Sequence, residues 1–339
     1  MPIRSRAPLR ISFAGGGTDV SPFPEREGGL LLNATIDRYA YATLRPRDDD
    51  SILIRSLDYG VETDFAVSEP LVLDGKLDLA KAAIRRLAAD LTHGFELVLR
   101  SDVPPGSGLG ASSAMVVAVI GALKELRGLK VGDYELAELA HSIEREELGM
   151  TGGRQDGYAA TFGGVNFIEL HGDRVSVNPL RLPPDVVSQL ERSLLLCFTG
   201  MTRESDHIIE DQTARFAASE SETVAGLRTQ KQLALEIRTV LVEGRLEEFG
   251  RLLAESWEAK KRTSPKISNQ RIDELYDAAR SNGAIGGKLA GAGGGGYLLL
   301  YCPDDARDGV RRRMLELGAP VEGLSFEAHG LRSWTVDDG

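Results

Sequence analysis

The chain has 339 residues, of which 42% are hydrophobic, and this length predicts two domains rather than one. Its formal net charge is −11 and its basic residues are dispersed, which argues against a nucleic-acid-binding or membrane-binding surface. The N-terminus lacks the apolar region of a signal peptide and the longest apolar run, 114–123, is too short to span a bilayer, so we expect a soluble cytoplasmic protein.

The first half of the chain alternates short strands with helices. Runs of apolar and β-branched residues predict the strands, with a hairpin-type turn at 48–50, and apolar residues spaced three or four apart predict the helices. The helix that begins at Asp133 is expected to be capped by this aspartate and to stop at Gly149. The predicted strands are 11–14, 30–35, 39–44, 52–56 and 95–99, and the predicted helices are 79–91, 115–126 and 133–148.

A domain boundary is predicted between about 180 and 195, where Arg181-Leu-Pro-Pro184 breaks the pattern. Strands at 194–198, 297–301 and 324–328 are predicted beyond it. A mainly helical stretch is expected from 205 to 282, interrupted at Gly244 and Pro265, and a further helix from 305 to 317. Because strands and helices mix without a regular βαβ rhythm, each half is predicted to be α+β.

The first notable glycine-rich segment, 104–114, reads Pro-Pro-Gly-Ser-Gly-Leu-Gly-Ala-Ser-Ser-Ala. Gly106, Gly108 and Gly110 permit backbone conformations that turn successive N–H groups toward one anion, and the N-terminus of the next helix would add positive potential. The spacing is not that of a P-loop, because no lysine follows Gly110. These glycines alone fit a phosphate-binding loop and a plain strand-to-helix turn equally well.

Two further glycine-rich segments favour a phosphate-binding site. One is Arg6-Ala-Pro-Leu-Arg-Ile-Ser-Phe-Ala-Gly-Gly-Gly-Thr-Asp19, and the other is Gly-Gly-Lys-Leu-Ala-Gly-Ala-Gly-Gly-Gly-Gly at 286–296. Residues 291, 293 and 296 formally match Gly-x-Gly-x-x-Gly. A predicted strand follows them instead of a helix, which argues against a dinucleotide-binding fold.

The three segments, in this order and spacing, resemble the three motifs of the GHMP kinase superfamily, which includes galactokinase, homoserine kinase and mevalonate kinase. Segment 104–114 is similar to the motif Pro-x-x-x-Gly-Leu-Gly-Ser-Ser-Ala, with Ala111 in place of the first serine. Together with Gly-Gly-Arg-Gln-Asp-Gly-Tyr at 152–158, the other two segments are similar to the superfamily's bacterial D-glycero-D-manno-heptose 7-phosphate kinases and related fucokinase domains.

The resemblance implies an α+β fold of two domains with the active site between them. Residues 1–190 would form a ribosomal-protein-like β/α domain that binds ATP, and residues 191–339 a ferredoxin-like domain. The implied activity is ATP- and Mg²⁺-dependent phosphorylation of the anomeric hydroxyl of D-glycero-D-manno-heptose 7-phosphate, for nucleotide-activated heptose and surface polysaccharide synthesis. We expect a small-molecule substrate and neither nucleic-acid nor membrane partners, and homodimerisation is left open.

Phosphoryl transfer needs a phosphate clamp, a metal ion that bridges phosphate oxygens, and a group that positions the attacking hydroxyl. Asp156 matches the superfamily's catalytic aspartate and would accept the hydroxyl's proton; a helix cap is the alternative. Relatives have glutamine where this chain has Gly157, so no side-chain contact is expected there. Arg10 stands where relatives have lysine or arginine and would stabilise the moving phosphoryl group, the alternative being a surface arginine.

The resemblance assigns Ser113 and Glu144 to Mg²⁺, with Glu147 as the rival of Glu144. From the residues alone, Ser113 is better explained as a helix-capping hydroxyl and Glu144 as a solvated charge. The ATP phosphates are expected to bind the segment that comprises Pro105, Gly106, Ser107, Gly108, Leu109, Gly110, Ala111, Ser112 and Ser113.

The sugar is expected to contact residues from both ends of the chain. Asp19 matches the superfamily position that hydrogen-bonds sugar hydroxyls, and a turn aspartate is the alternative. Arg203, which follows a predicted strand, and Lys288 are candidates for binding a substrate phosphate. The glycine-rich segment 291–296 would allow close approach to substrate and nucleotide or form a tight turn between packed elements. The further candidate substrate-binding residues are Gly16, Gly17, Thr18, Gly293 and Gly294.

Other functions stay open. One is a kinase for an unphosphorylated sugar such as L-fucose, although fucokinases of this type usually carry a second, pyrophosphorylase domain for which we expect no room here. An isoprenoid-pathway kinase is disfavoured because Gly-Gly-Gly-Thr-Asp points to sugars. A non-catalytic sugar sensor on a kinase fold would be expected to lose Asp156, Ser113 or Glu144, and all three are present.

Overall fold

A computed structural model describes residues 1–202 and 206–337, which form two sheets flanked by helices. Within the described ranges, strands and helices alternate irregularly along the chain, as predicted for an α+β fold. The strands are β1 (Ile3–Ala14), β2 (Gly29–Pro46), β3 (Ser51–Ser56), β4 (Val61–Ala66), β5 (Phe95–Ser101), β6 (Val165–His171), β7 (Arg174–Pro179), β8 (Leu194–Phe198), β9 (Gly286–Leu289), β10 (Tyr297–Tyr301), β11 (Val321–Glu322) and β12 (Arg332–Thr335).

The helices lie between these strands, and a π-helical turn (Ile143–Glu147) continues one of them. No helix among the described residues is long and apolar enough to cross a membrane. The helices are α1 (Phe23–Glu27), α2 (Asp78–Leu87), α3 (Ala111–Arg127), α4 (Asp133–Ser142), α5 (Gln155–Phe162), α6 (Pro184–Ser193), α7 (Asp206–Ala217), α8 (Ser221–Val242), α9 (Leu246–Lys261), α10 (Gln270–Ser281) and α11 (Asp304–Glu316).

The larger sheet has the order β12-β1-β2-β5-β3-β4, with β6 and β7 attached through β2. Strand β2 is long enough to pair with β6 over its first third and with β5 over its last third, while β1 runs along its other edge. The residues of β2 from Gly29 to Ile36 are all buried, because α3 and α8 both pack against this strand. Because the last residues of β1 pair with this buried part of β2, the end of β1 also lies in the interior of the molecule.

The smaller sheet is antiparallel and has the order β11-β8-β10-β9. In chain order, the first to fourth strands of this sheet are β8, β9, β10 and β11. Helix α10 precedes the second strand and α11 precedes the fourth. A βαββαβ unit with the strand order 4-1-3-2 is the ferredoxin-like arrangement, so the fold expected for the C-terminal half is confirmed.

The C-terminal end of the chain differs from the prediction. The strand expected at 324–328 is wrong, because only Phe326 forms an isolated bridge there, with Ile36. The alternating apolar residues of this segment do place Leu324 in the core. Such alternation indicates that one side of a segment is buried, but it does not show that the backbone pairs with a neighbouring strand. The last strand is instead β12, which pairs with β1 and so returns to the larger sheet. The division of the chain at residue 190 stays a prediction.

The helix expected at 133–148 also differs, because α4 ends at Ser142 and the π-helical turn follows. Asp133 is the first helical residue and not the cap; Gly132 occupies the cap position without a side-chain hydrogen bond. A π turn adds one residue to a helical turn and so rotates the side chains that follow it. Apolar periodicity does not predict this change of phase.

The largest hydrophobic cluster among the described residues extends across both halves. Helix α8 packs against β1 and β2, and α9 packs against β1. Phe13, near the end of β1, meets Phe249 of α9 edge to face with ring centroids 5.3 Å apart. The segment that follows β1, including Asp19, is therefore held between the two halves.

Candidate active site

A cavity of about 900 Å³ is lined by residues from both halves, a volume within the range of small-molecule sites. Its walls include Arg10 from β1, Asp156 from α5 and Lys260 from α9. All three predicted glycine-rich segments contribute residues to the wall. The larger sheet adds Ser56, Leu99 and Ser101, and the segment before α2 adds Gly75, Lys76 and Leu77.

The first of these segments is the loop between β5 and α3. Gly106, Gly108 and Gly110 have φ angles of +72°, +80° and +77°, which residues with a side chain rarely adopt. The N-terminus of α3 carries no side-chain cap, as expected where a helix end is free to bind an anion. Leu109 belongs to the core and Ser113 is buried, while the other seven predicted phosphate-binding residues line the cavity: Pro105, Gly106, Ser107, Gly108, Gly110, Ala111 and Ser112.

The C-terminal glycine-rich segment packs against this loop, backbone against backbone. A Cβ on Gly296 would lie 2.2 Å from the carbonyl oxygen of Ser107, and a Cβ on Gly291 would lie 2.6 Å from Cα of Gly108. The N–H of Tyr297 donates to the same Ser107 carbonyl at 3.2 Å. These glycines therefore permit the close approach of the two halves beside the loop, and only residues without a side chain fit at this contact.

Arg10 and Asp156 form an ion pair in the cavity. Nε of Arg10 donates to Oδ1 of Asp156 at 2.7 Å, and Nη1 donates to the carbonyl oxygen of Gly108 at 2.7 Å. Arg10 is only 5% exposed, which is incompatible with the surface-arginine alternative. Asp156 lies in the first turn of α5, but the structure shows no side-chain cap on this helix. The pair is adjacent to the loop expected to hold the phosphates.

Ser113 and Glu144 form a second polar pair. The hydroxyl of Ser113 donates to the Glu144 carboxylate, with distances of 2.9 Å to Oε1 and 2.8 Å to Oε2. Burial raises the pKa of Glu144, which lies in the π-helical turn and is 2% exposed. Its rival, Glu147, instead accepts a hydrogen bond from Nε of Arg85 at 2.7 Å. The geometry favours Glu144 over Glu147 as a ligand paired with Ser113.

Asp19 lies at another part of the cavity wall. Its carboxylate accepts the Gln155 backbone N–H at 3.0 Å and is largely buried, which raises the pKa of this group. A Cβ on Gly153 would lie 1.9 Å from Oδ2 of Asp19, so glycine is needed there. Gly16 and Gly17 also line the cavity. Thr18 does not line it, because its buried hydroxyl donates to the Gly15 carbonyl at 2.8 Å.

Comparison with known proteins identifies the family. The model of the GHMP kinase N-terminal domain matches residues 78–164, and that of the C-terminal domain matches residues 237–319. D-glycero-alpha-D-manno-heptose 7-phosphate kinase of Campylobacter jejuni is 39% identical to this chain, over 98% of it and 99% of that protein. The chain belongs to the GHMP kinase family. It is an ATP-dependent kinase with an alcohol group as phosphoryl acceptor.

Two further relatives of this kinase differ in coverage. The solved structure of a D-glycero-D-manno-heptose 1-phosphate kinase from Bacteroides thetaiotaomicron matches with a TM-score of 0.83 and 36% identity, over 98% of this chain and 99% of the other. L-fucokinase/L-fucose-1-P guanylyltransferase of Bacteroides fragilis is 28% identical over 95% of this chain, but the match covers 37% of that protein.

Several predicted substrate residues of the kinase do not face open cavity. Gly293 and Gly294 contact Ile267 and do not line the wall; the N–H of Gly294 donates to the Ile267 carbonyl at 2.8 Å. Lys288 lines the wall but is 1% exposed, and its Nζ donates to the Phe13 carbonyl at 3.2 Å. Arg203 lies outside the described residues. A substrate contact by any of these four residues stays a prediction.

Lys260 was not predicted from the sequence, although the structure places it in the same cavity. The side chain is 5% exposed, and burial lowers the pKa of its ammonium group to about 8. The sequence does contain a pattern that could have identified this lysine. In α9, apolar residues recur at intervals of three or four, and Lys260 continues the series Phe249, Leu253 and Trp257. A lysine on the buried face of an amphipathic helix is unusual and indicates a specific role.

Proposed function

We propose that this kinase transfers the γ-phosphoryl group of ATP to the anomeric hydroxyl of D-glycero-D-manno-heptose 7-phosphate. The observation that carries the proposal is the Arg10–Asp156 pair, in which the guanidinium also donates to the carbonyl oxygen of Gly108. Gly108 belongs to the glycine-rich loop between β5 and α3 that is expected to hold the ATP phosphates, called the phosphate loop below. Similarity over the full length to the Campylobacter jejuni heptose 7-phosphate kinase supports the choice of acceptor.

Asp156 accepts the proton of the attacking hydroxyl in this proposal. A carboxylate is too weak a base to remove that proton in advance, so proton transfer accompanies or follows formation of the P–O bond. Arg10 keeps the carboxylate in place through the 2.7 Å hydrogen bond and adds positive charge next to the transferred group. Positioning and charge stabilisation then provide most of the rate enhancement.

Ser113 and Glu144 fit a Mg²⁺ ion that accompanies ATP. They present a hydroxyl and a carboxylate within 3 Å of each other, and Mg²⁺ prefers oxygen ligands of this kind. The guanidinium of Arg145 lies 3.6 Å from the buried carboxylate. Because no group of three or more His, Cys, Asp or Glu side chains among the described residues could hold a metal, the other ligands would be phosphate oxygens and water. Bound there, Mg²⁺ would neutralise charge on the phosphates.

Asp19 binds hydroxyl groups of the sugar in this proposal. One carboxylate oxygen is already held by the Gln155 N–H, which fixes the direction of the carboxylate. A buried acceptor of this kind discriminates strongly between sugars that do and do not offer a hydroxyl at the matching position, because an unpaired buried acceptor is costly.

A coupled ADP-release assay over free and phosphorylated sugars tests the proposal. The panel contains heptose 7-phosphate, heptose 1-phosphate, free heptose and L-fucose, because the two heptose-kinase relatives are named for phosphates at different carbons. We expect the highest kcat/KM with heptose 7-phosphate and a 1,7-bisphosphate product by phosphorus NMR. Equal kcat/KM for heptose 7-phosphate and free heptose would contradict a phosphorylated acceptor, and preferential turnover of L-fucose would support the alternative kinase.

A further inference from the structure

Lys260 is a buried cation to which the reaction described above assigns no part. It lies near the C-terminal end of α9, and its Nζ donates to the carbonyl oxygen of Gly291 at the cavity wall. That carbonyl belongs to the glycine-rich segment that packs on the phosphate loop. The C-terminal half of the molecule thereby brings a positive charge to the edge of the loop.

Arg10 lies on the other side of the contact between the C-terminal glycine-rich segment and the phosphate loop. A Cβ on Gly291 would lie 2.6 Å from Gly108, and Arg10 donates to the Gly108 carbonyl at 2.7 Å. Lys260 and Arg10 are therefore anchored to carbonyl oxygens of two residues that touch each other. Both cations lie where the phosphate loop meets Asp156, the proposed proton acceptor.

The two cations differ in how their charge is balanced. Arg10 is paired with Asp156. No described carboxylate lies within ion-pair distance of Lys260, and the Gly291 carbonyl uses one of the three donors of the ammonium group. A buried cation without a counter-ion is unfavourable unless a bound anion supplies the missing charge. The ammonium group therefore offers an anion two further N–H donors, for which the described residues supply no acceptor, beside the phosphate loop.

Lys288 lies next to this cation but does not share its role. Burial, together with the positive charges of Lys260 and Arg10, lowers the pKa of Lys288 well below its usual range, and its Nζ donates to the Phe13 carbonyl at 3.2 Å. The pKa of Lys260 falls only to about 8, which leaves it mostly protonated at pH 7. The charged groups that act on Lys260 are Arg10, which lowers its pKa, and Asp19 and Asp156, which raise it.

We propose that Lys260 is a catalytic residue that binds the γ-phosphoryl group of ATP during its transfer, opposite Arg10. The inference rests on the proposed ATP-dependent reaction but not on the identity of the sugar. As the bond between the sugar oxygen and the γ-phosphorus forms, the bond from phosphorus to the bridging oxygen of ADP breaks, and the hydroxyl proton passes to Asp156. Lys260 donates hydrogen bonds to the equatorial oxygens throughout and keeps its own protons.

The first test compares nucleotide binding by Lys260→Met with that by Lys261→Met, its matched control. Lys261 is the next residue and forms an ion pair with Glu258 at 2.8 Å, away from the cavity wall. In isothermal titrations we expect Lys260→Met to weaken binding of a non-hydrolysable ATP analogue about tenfold or more while ADP affinity changes less than about twofold. Lys261→Met should leave both unchanged. Equal losses for the two nucleotides, or none, would overturn the proposal.

The second test is kinetic and uses the acceptor that the panel assay identifies. Lys260→Met should lower kcat about 100-fold or more with little change in the KM for sugar, and Lys260→Arg should recover part of the rate. We expect the parent enzyme to lose activity as the pH rises through about 8, where Lys260 loses its proton, and we expect this loss to move to higher pH in Lys260→Arg. A rise confined to the KM of a phosphorylated sugar would assign Lys260 to the acceptor's own phosphate and contradict the proposal. The nucleotide titrations need no sugar, so they separate this inference from the proposed substrate.

Discussion

Replacement of Asp156 by asparagine tests the proposed proton acceptor separately from the rest of the site. The two side chains have nearly the same size, and an asparagine carbonyl oxygen can still accept the hydrogen bond that Arg10 Nε donates at 2.7 Å. The cavity and the contact of Arg10 with Gly108 should therefore persist. What disappears is the negative charge and with it the ability to take a proton from the attacking hydroxyl.

The expected magnitude follows from these contacts. Loss of a positioned general base lowers turnover by about 10²- to 10⁴-fold. Stability should fall by about 1–3 kcal/mol, because Arg10 is almost fully buried and loses the charge of its partner while keeping a hydrogen bond. The KM for ATP should change little, since the phosphate loop and the Ser113–Glu144 pair are untouched.

The assay is ADP release at saturating ATP and sugar, with thermal unfolding and binding of a non-hydrolysable ATP analogue as controls for folding. A variant that binds nucleotide normally but turns over at least about 100-fold more slowly supports the assignment. Turnover within about tenfold of the parent, in a protein that is folded, would refute the role of Asp156 as proton acceptor.

Three further outcomes are expected. Glu144→Gln should raise the Mg²⁺ concentration for half-maximal activity about tenfold or more, whereas Glu147→Gln should not; a Mg²⁺ titration of both variants checks this. Because burial raises the pKa of Glu144, the folded state favours its protonated form, and that contribution to stability is lost as pH rises through the raised pKa. The stability gain of Glu144→Gln over the parent in urea unfolding should therefore grow from pH 4.5 to pH 7 and not shrink. Gly153→Ala, whose Cβ would lie 1.9 Å from Oδ2 of Asp19, should raise the KM for sugar about tenfold without weakening nucleotide binding, and unchanged sugar kinetics would contradict the role of Asp19.

Continuous apolar runs and glycine patterns made several elements predictable. The strands predicted at 194–198 and 297–301 coincide with β8 and β10, because both are buried apolar segments with clear turn residues nearby. The glycine-rich turn at 104–114 was predictable because its glycines adopt positive φ angles that other residues rarely tolerate. The strand β12 was not, because its residues are largely exposed and carry no apolar alternation. Its pairing depends on the edge that β1 presents.

The amino-acid sequence by itself determined the family, and it singled out the glycine-rich loop at 104–114 and Asp156 as candidates, since each depends on residue types at short spacing along the chain. Only the tertiary structure shows that Glu144 is buried beside Ser113 and that Glu147 pairs with Arg85 instead, because a π-helical turn sets the direction of both side chains. It also brought Lys260 from α9 to the contact between Gly108 and Gly291. That proximity arises from packing between the two halves of the molecule, and residues far apart in sequence carry no local signal of such a contact.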